Sequence, residues 1–309
     1  MVTADASGSA LPPALAERIV ERAMRIPSRY RAFTVSEQRA EFVFRIPRGV
    51  LVQLVALGLP CADSGGKLTF DRKDLKNALQ QSGLVSPQRA TVESVAGVLD
   101  DGERADGVRR SVKILGRCPE PGHAGPCDFA VVPGLTEPAA WTSAVEVIAP
   151  NQVKVELNLA SGPPSLLPLT EEQSALFAEI TALEFHNLPA ELIHDFGFMK
   201  STGLADCRSA YNYLAHRAGD VGLSVRPVAG LIVTKPFSIT HSWIEILVEE
   251  EWRPADPFFL TALARWGVID AGKWPAHRSP LGILWRIGEV DDPLMTHRGE
   301  AIEPVCLTT

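Results

Sequence analysis

Apolar and polar positions alternate with two distinct periods along this chain, and the period changes mark its elements. From Pro13, ALAERIVERAM places Leu15, Ile19, Val20 and Met24 near one helical face. GVLVQLVALGL at 49–59 is nearly all apolar and predicts a buried helix, followed by a turn at Asp63–Gly66. A further helix is predicted to open after Phe70, with Gly83 as its C-terminal cap; another starts at Ser86, whose hydroxyl precedes a proline at the first helical position. Loops are expected over Asp100–Arg110 and Cys118–Pro138. AVEVIAPNQVKVELNLA then alternates on both sides of a Pro-Asn turn, the pattern of a β-hairpin. SGPPSLLPL at 161–169 reads as a linker, and LTEEQSALFAEITALEF after it as a helix capped by Thr170.

These patterns predict an α+β protein with a boundary near 165. Residues 1–165 are expected to form an N-terminal mixed α/β domain, helical with a β-hairpin and of unread role. Residues 166–309 are expected to form a second domain with a C-terminal extension. Residues 1–13 are small, polar and proline-ended, the composition of a mobile end.

Composition narrows the function classes. The net charge of −7 argues against sequence-independent binding of nucleic acid, which needs basic surface. The helices expected at 70–84 and 86–99 lack a basic recognition face, so a helix-turn-helix reading is set aside. No basic-then-apolar signal pattern opens the chain, and no apolar run is long enough to span a bilayer. The five cysteines are odd in number and scattered, unlike a disulfide framework, so a cytoplasmic setting with reduced thiols is expected.

The chemistry concentrates at 202–257. Asp206 can cap a helix running from Cys207 to about Arg217, with Gly219 at its end. Cys207 then lies in the first turn, where free backbone N–H groups and the positive end of the helix dipole favour a thiolate. Leu223–Val233 reads as a strand containing Pro227. Ser238–Val248 reads as a second, with His241, Trp243 and Glu245 on one face. WRPADP follows, and Pro257 biases Asp256 towards extended backbone. A helix N-terminus supplying Cys, a strand supplying His and the next strand supplying Asp make a nucleophile, its base and the group that orients the base.

The pieces G-x-x-D-C at 203–207, V-R-P-V-A-G at 225–230, H-S-W-I-E-I at 241–246 and W-R-P-A-D-P at 252–257 stand in order. Together they resemble the transglutaminase-like (papain-like cysteine) superfamily over residues 170–270. The resemblance implies a papain-like core, with the Cys-bearing helix packed on an antiparallel sheet that bears His and Asp. It implies Cys207 as nucleophile, His241 as base and Asp256 as orienter in a thioester acyl-enzyme mechanism. The acyl donor would be an amide, ester or thioester, on a small molecule or a carrier protein, and the acceptor an amine or water. The alternatives are a cysteine peptidase or amidase, and a non-catalytic binding module that retains the fold.

This chemistry needs no cofactor, metal, nucleic acid or membrane. Trp243 and Trp252 read as packing residues, with a wall of the site as the alternative, and Trp243 is the substrate-binding candidate of the two. The resemblance also asks for an oxyanion donor upstream of the cysteine. His186, Asn187 and Phe198 are the candidates there, beside the backbone N–H of Cys207. Cys118, His123 and Cys127 in CPEPGHAGPC offer three soft ligands where a tetrahedral structural metal site takes four, and the segment reads as a surface loop.

Overall fold

The computed structural model describes residues 10–63, 65–101, 108–120, 122–136, 142–159, 165–289 and 292–309. In chain order the first elements are α1 (Pro13–Met24), β1 (Phe33–Ser36), α2 (Glu37–Phe42), α3 (Arg48–Ala56), β2 (Cys61–Asp63), β3 (Leu68–Asp71), α4 (Arg72–Ser82) and α5 (Pro87–Asp101). Then come β4 (Val108–Leu115), β5 (Phe129–Val131), α6 (Pro133–Thr136), β6 (Thr142–Ala149), β7 (Gln152–Leu159), α7 (Glu171–Ala182), β8 (Glu184–Phe185), α8 (Phe196–Thr202), β9 (Leu204–Ala205) and α9 (Cys207–Ala218). The remainder is β10 (Val225–Ile232), β11 (Phe237–Val248), β12 (Glu251–Ala255), α10 (Pro257–Arg265), β13 (Leu284–Glu289), β14 (Met295–His297), β15 (Glu300–Ile302) and β16 (Val305–Thr308). Helices and mostly antiparallel sheets are mixed along the chain, an α+β architecture. No helix among the described residues is long and apolar enough to cross a membrane.

The chain divides into two compact units. The first takes Met1–Glu93, Thr181–Ala210 and Phe258–Lys273. Its core forms where α1 turns Ala16, Ile19, Val20 and Ala23 inward, onto Val50, Leu51 and Leu54 of α3 and Leu75, Ala78 and Leu79 of α4. Ala23 takes the inward position expected for Met24, which closes the helix and is exposed. The α4 helix starts where Asp71 accepts from the N–H groups of Lys73 (2.7 Å) and Asp74 (3.2 Å), and it stops at Gly83 with φ +68°. A small antiparallel sheet ordered β1-β3-β2 lies in the same unit. So does the parallel β8–β9 pair. The helix expected to reach Phe185 ends at Ala182, and Glu184 and Phe185 pair instead with Leu204 and Ala205.

The second unit takes Ser94–Ile180, Tyr211–Pro257 and Trp274–Thr309. It is built on an eight-stranded antiparallel sheet ordered β13-β10-β11-β16-β4-β7-β6, with β12 also on β11. Alternate residues of β4 and β7 face inward, so Val112 stands opposite Val155 and Ile114 opposite Val153, all fully buried with Leu231, Trp285 and Met295. The expected hairpin is present as β6 and β7. This sheet takes strands from both sides of residue 165; residues 161–164 of the expected linker lie outside the described residues. β16 is the seam: it bonds β11 on one edge and β4 on the other.

A second, three-stranded sheet is ordered β15-β14-β5. The loop expected over Cys118–Pro138 therefore contains a strand and a short helix in its described part. Both are too short to show periodicity in sequence, and among the described residues β5 pairs with its distant partner β14.

Candidate active site

The helix bearing the candidate nucleophile is capped as its sequence implies. Asp206 Oδ1 accepts from the N–H of Ser209 at 2.9 Å, and Ser209 Oγ accepts from the N–H of Asp206 at 3.0 Å. This reciprocal pair meets two of the donors that a helix start leaves unpaired. Cys207 is the first residue of α9 and is buried. Tyr211 stands one helical turn further on, a spacing that shares a face with Cys207.

In the second unit, β11 and β12 pair from Ile244–Ala255 to Val248–Glu251, and this register brings Asp256 beside His241. His241 Nε2 and Asp256 Oδ2 are 2.7 Å apart, with side-chain exposures of 5% and 3%. The Tyr211 hydroxyl donates to the other carboxylate oxygen, Oδ1. The carboxylate is thus held through both oxygens, which fixes the ring it orients. With Nε2–H given to Asp256, Nδ1 becomes the basic nitrogen of the neutral imidazole. Tyr211 was not singled out by sequence reasoning. Its signal was present in C-R-S-A-Y, where the four-residue step puts a phenol on the cysteine's face.

The rest of the H-S-W-I-E-I strand supports that ring. Trp243, for which the sequence offers packing or a wall of the site, is buried and stacks near-parallel with His241 at a centroid distance of 6.3 Å. Its indole Nε1 is buried with no hydrogen-bond partner among the described residues. Glu245 pairs with Arg226, its direct cross-strand neighbour, at 2.6 Å, and the Arg226 guanidinium lies 4.2 Å over the Trp252 ring. Gly230 stands opposite His241 in the ladder. A Cβ there would lie 1.9 Å from the Trp285 carbonyl oxygen and 2.9 Å from the Trp243 ring. The glycine of V-R-P-V-A-G is therefore required by the close packing of three strands.

Of the upstream oxyanion candidates, Asn187 is engaged elsewhere in the first unit. Its amide donates to Asn77 (2.8 Å) and Gln80 (2.7 Å). Phe198 has no side-chain donor. His186 is buried, with neither ring nitrogen hydrogen-bonded among the described residues. Burial, reinforced by Arg22, Arg31 and Arg25, pushes its pKa down to about 3. The imidazole is neutral at physiological pH.

Away from these residues, Cys118, His123 and Cys127 gather in the second unit with a fourth side chain, His297. His297 was not singled out from sequence, because nothing local links it to the Cys/His loop.

The chain matches no protein-family model, and comparison with curated proteins gives no match.

Proposed function

We propose that this protein is a cysteine-dependent acyltransferase or amidase built on a transglutaminase-like, papain-like core. The observation that carries this reading is the buried His241–Asp256 pair, its carboxylate also tied to Tyr211 on the helix that Cys207 opens.

In this mechanism the Cys207 thiolate attacks the carbonyl carbon of an amide, ester or thioester. His241 holds the thiol's proton on Nδ1 and passes it to the departing amine, alcohol or thiol as the C–N, C–O or C–S bond breaks. An acyl thioester on Cys207 remains. An amine or water then attacks it, His241 takes the attacker's proton, and collapse returns the thiol. Asp256 holds the tautomer throughout. The backbone N–H of Cys207, in the first turn of α9, is the donor for the developing oxyanion. The donor class proposed is a small-molecule or carrier-bound acyl group, handled in the cytoplasm, and no organic cofactor enters the reaction.

Intact-mass spectrometry of the full chain tests the reading, after incubation with acyl thioesters and with amides, each with and without a primary amine. An acyl adduct is expected on Cys207, absent from Cys207→Ala and cleared faster by amine if the enzyme builds amides. Absence of any adduct across these donors, with iodoacetamide labelling Cys207 no faster than the other cysteines, would leave a binding module with a retained fold and refute the proposal.

A further inference from the structure

The loop between β4 and β5 carries Cys118, His123 and Cys127, and β14 ends at His297. The β5–β14 ladder sets His297 opposite Phe129, two residues beyond Cys127. Arg298 secures the same junction from the next position. Its N–H donates to the Asp128 carbonyl at 2.7 Å, and its guanidinium donates to the Ala124 carbonyl at 2.9 Å. The four ligand atoms, two sulfurs and two ring nitrogens, all lie within 4.8 Å of one another. Cys118 Sγ is 3.1 Å from His123 Nδ1, and Cys127 Sγ is 3.9 Å from His123 Nε2. His297 is 4% exposed, and its Nε2 is buried with no hydrogen-bond partner among the described residues.

Leaving an imidazole nitrogen buried and unmet is destabilising, and a bound ion is one way such an atom is satisfied. A tetrahedral zinc with bonds of about 2.3 Å to sulfur and about 2.0–2.1 Å to nitrogen has ligand–ligand edges of about 3.3–3.8 Å. A cluster confined to 4.8 Å closes to those edges by side-chain rotation and small loop shifts.

We propose that Cys118, His123, Cys127 and His297 form a structural Zn(II) site that fastens the β4–β5 loop to β14. Two thiolates and two neutral imidazoles are a borderline-soft donor set, suited to zinc and unsuited to magnesium or calcium. On binding, the two thiols release their protons to solvent, and the two thiolate charges balance the ion. Each imidazole contributes a lone pair. The Glu120 carbonyl, 2.9 Å from His123 Nδ1, is placed to take that nitrogen's proton in a hydrogen bond and so leave Nε2 to the metal. Four protein ligands close the coordination sphere, which makes the ion a staple and not a reagent. The site uses none of the residues assigned to acyl transfer, so either reading can fail without the other.

The test is elemental analysis of the full-length chain, purified under reductant without chelator, followed by Co(II) substitution. About one zinc per chain is expected. Co(II) should give the intense visible bands of a tetrahedral centre together with a near-ultraviolet thiolate charge-transfer band. His297→Ala should lower retained zinc at least roughly tenfold. Because His297 is buried, Cys127→Ser at an exposed position serves as a second variant, its fold checked by circular dichroism. The proposal is overturned by less than about one-tenth zinc per chain with no cobalt–thiolate band. It is also overturned by full zinc retention in a folded Cys127→Ser, or by a Cys118–Cys127 disulfide in protein isolated under reductant.

Discussion

Replacing His186 with leucine should change how stability responds to acid, by an amount the structure sets. In the folded chain, burial and three nearby arginines hold this imidazole neutral, with a pKa of about 3 against an ordinary 6.5. The unfolded chain binds a proton there as pH falls through about 6.5, while the folded chain refuses it until near 3. A group whose folded pKa is depressed contributes stability that is present above its unfolded pKa and lost as pH falls. The loss is about 1.36 kcal/mol per pH interval below the unfolded value, hence about 2 kcal/mol between about pH 8 and about pH 5.

Asp74 acts in the opposite sense. Burial raises its carboxyl to about 6, against the pull of Arg31 2.7 Å away. The folded state there keeps a proton that the unfolded state has released, a contribution present in acid and lost as pH rises through about 6. By the same linkage it adds about 1.4 kcal/mol at about pH 5 relative to about pH 8. Urea unfolding followed by far-UV circular dichroism across this range reads both. His186→Leu should remove about 2 kcal/mol of acid loss, leaving the Asp74 gain of about 1.4 kcal/mol, and be near neutral at about pH 8, since both unmet nitrogens go together. Asp74→Asn should steepen the loss. If the wild-type and His186→Leu slopes agreed to within about 0.5 kcal/mol, the folded imidazole would be taking up its proton and the reasoning would fail.

Gly230→Ala should destabilise the second unit by about 2–3 kcal/mol, because β10 must move off the Trp285 carbonyl and the Trp243 ring; thermal unfolding measures it. Tyr211→Phe removes one of the two groups held by the buried Asp256 carboxylate and should cost about 1–3 kcal/mol. In the acyl-adduct assay it should slow adduct formation less than Cys207→Ala does, and an unchanged melting temperature would show the hydroxyl to be dispensable.

What was legible in the sequence was local. Asp71 with Gly83, Thr170 with Gln173, and Asp206 with Ser209 each act within a few residues of the helix they start or stop. The strands carrying His241 and the approach to Asp256 were readable from alternation, because β10, β11 and β12 follow one another and pair with their neighbours. What could not be read depends on distant partners. β14, β15 and β16 have three or four residues each, too few to show a period. His297 joins Cys127 only through the β5–β14 ladder. The proline-rich segment near 165 looked like a boundary because composition reports a break in periodicity, not which strands later share a sheet.

The seam strand has a consequence for the order in which the protein is made. Of all the strands in the large sheet, β16 is synthesised last, yet it stands between β11 and β4. Until Val305–Thr308 emerge, β13, β10, β11 and β12 can form one ribbon and β4, β7 and β6 another, each with an uncovered edge facing its missing neighbour. Such half-sheets are templates for pairing with the wrong chain. A nascent chain therefore carries its greatest hazard of misassembly just before completion of this sheet, and translation pauses or truncations short of residue 305 should yield aggregates instead of a smaller folded protein.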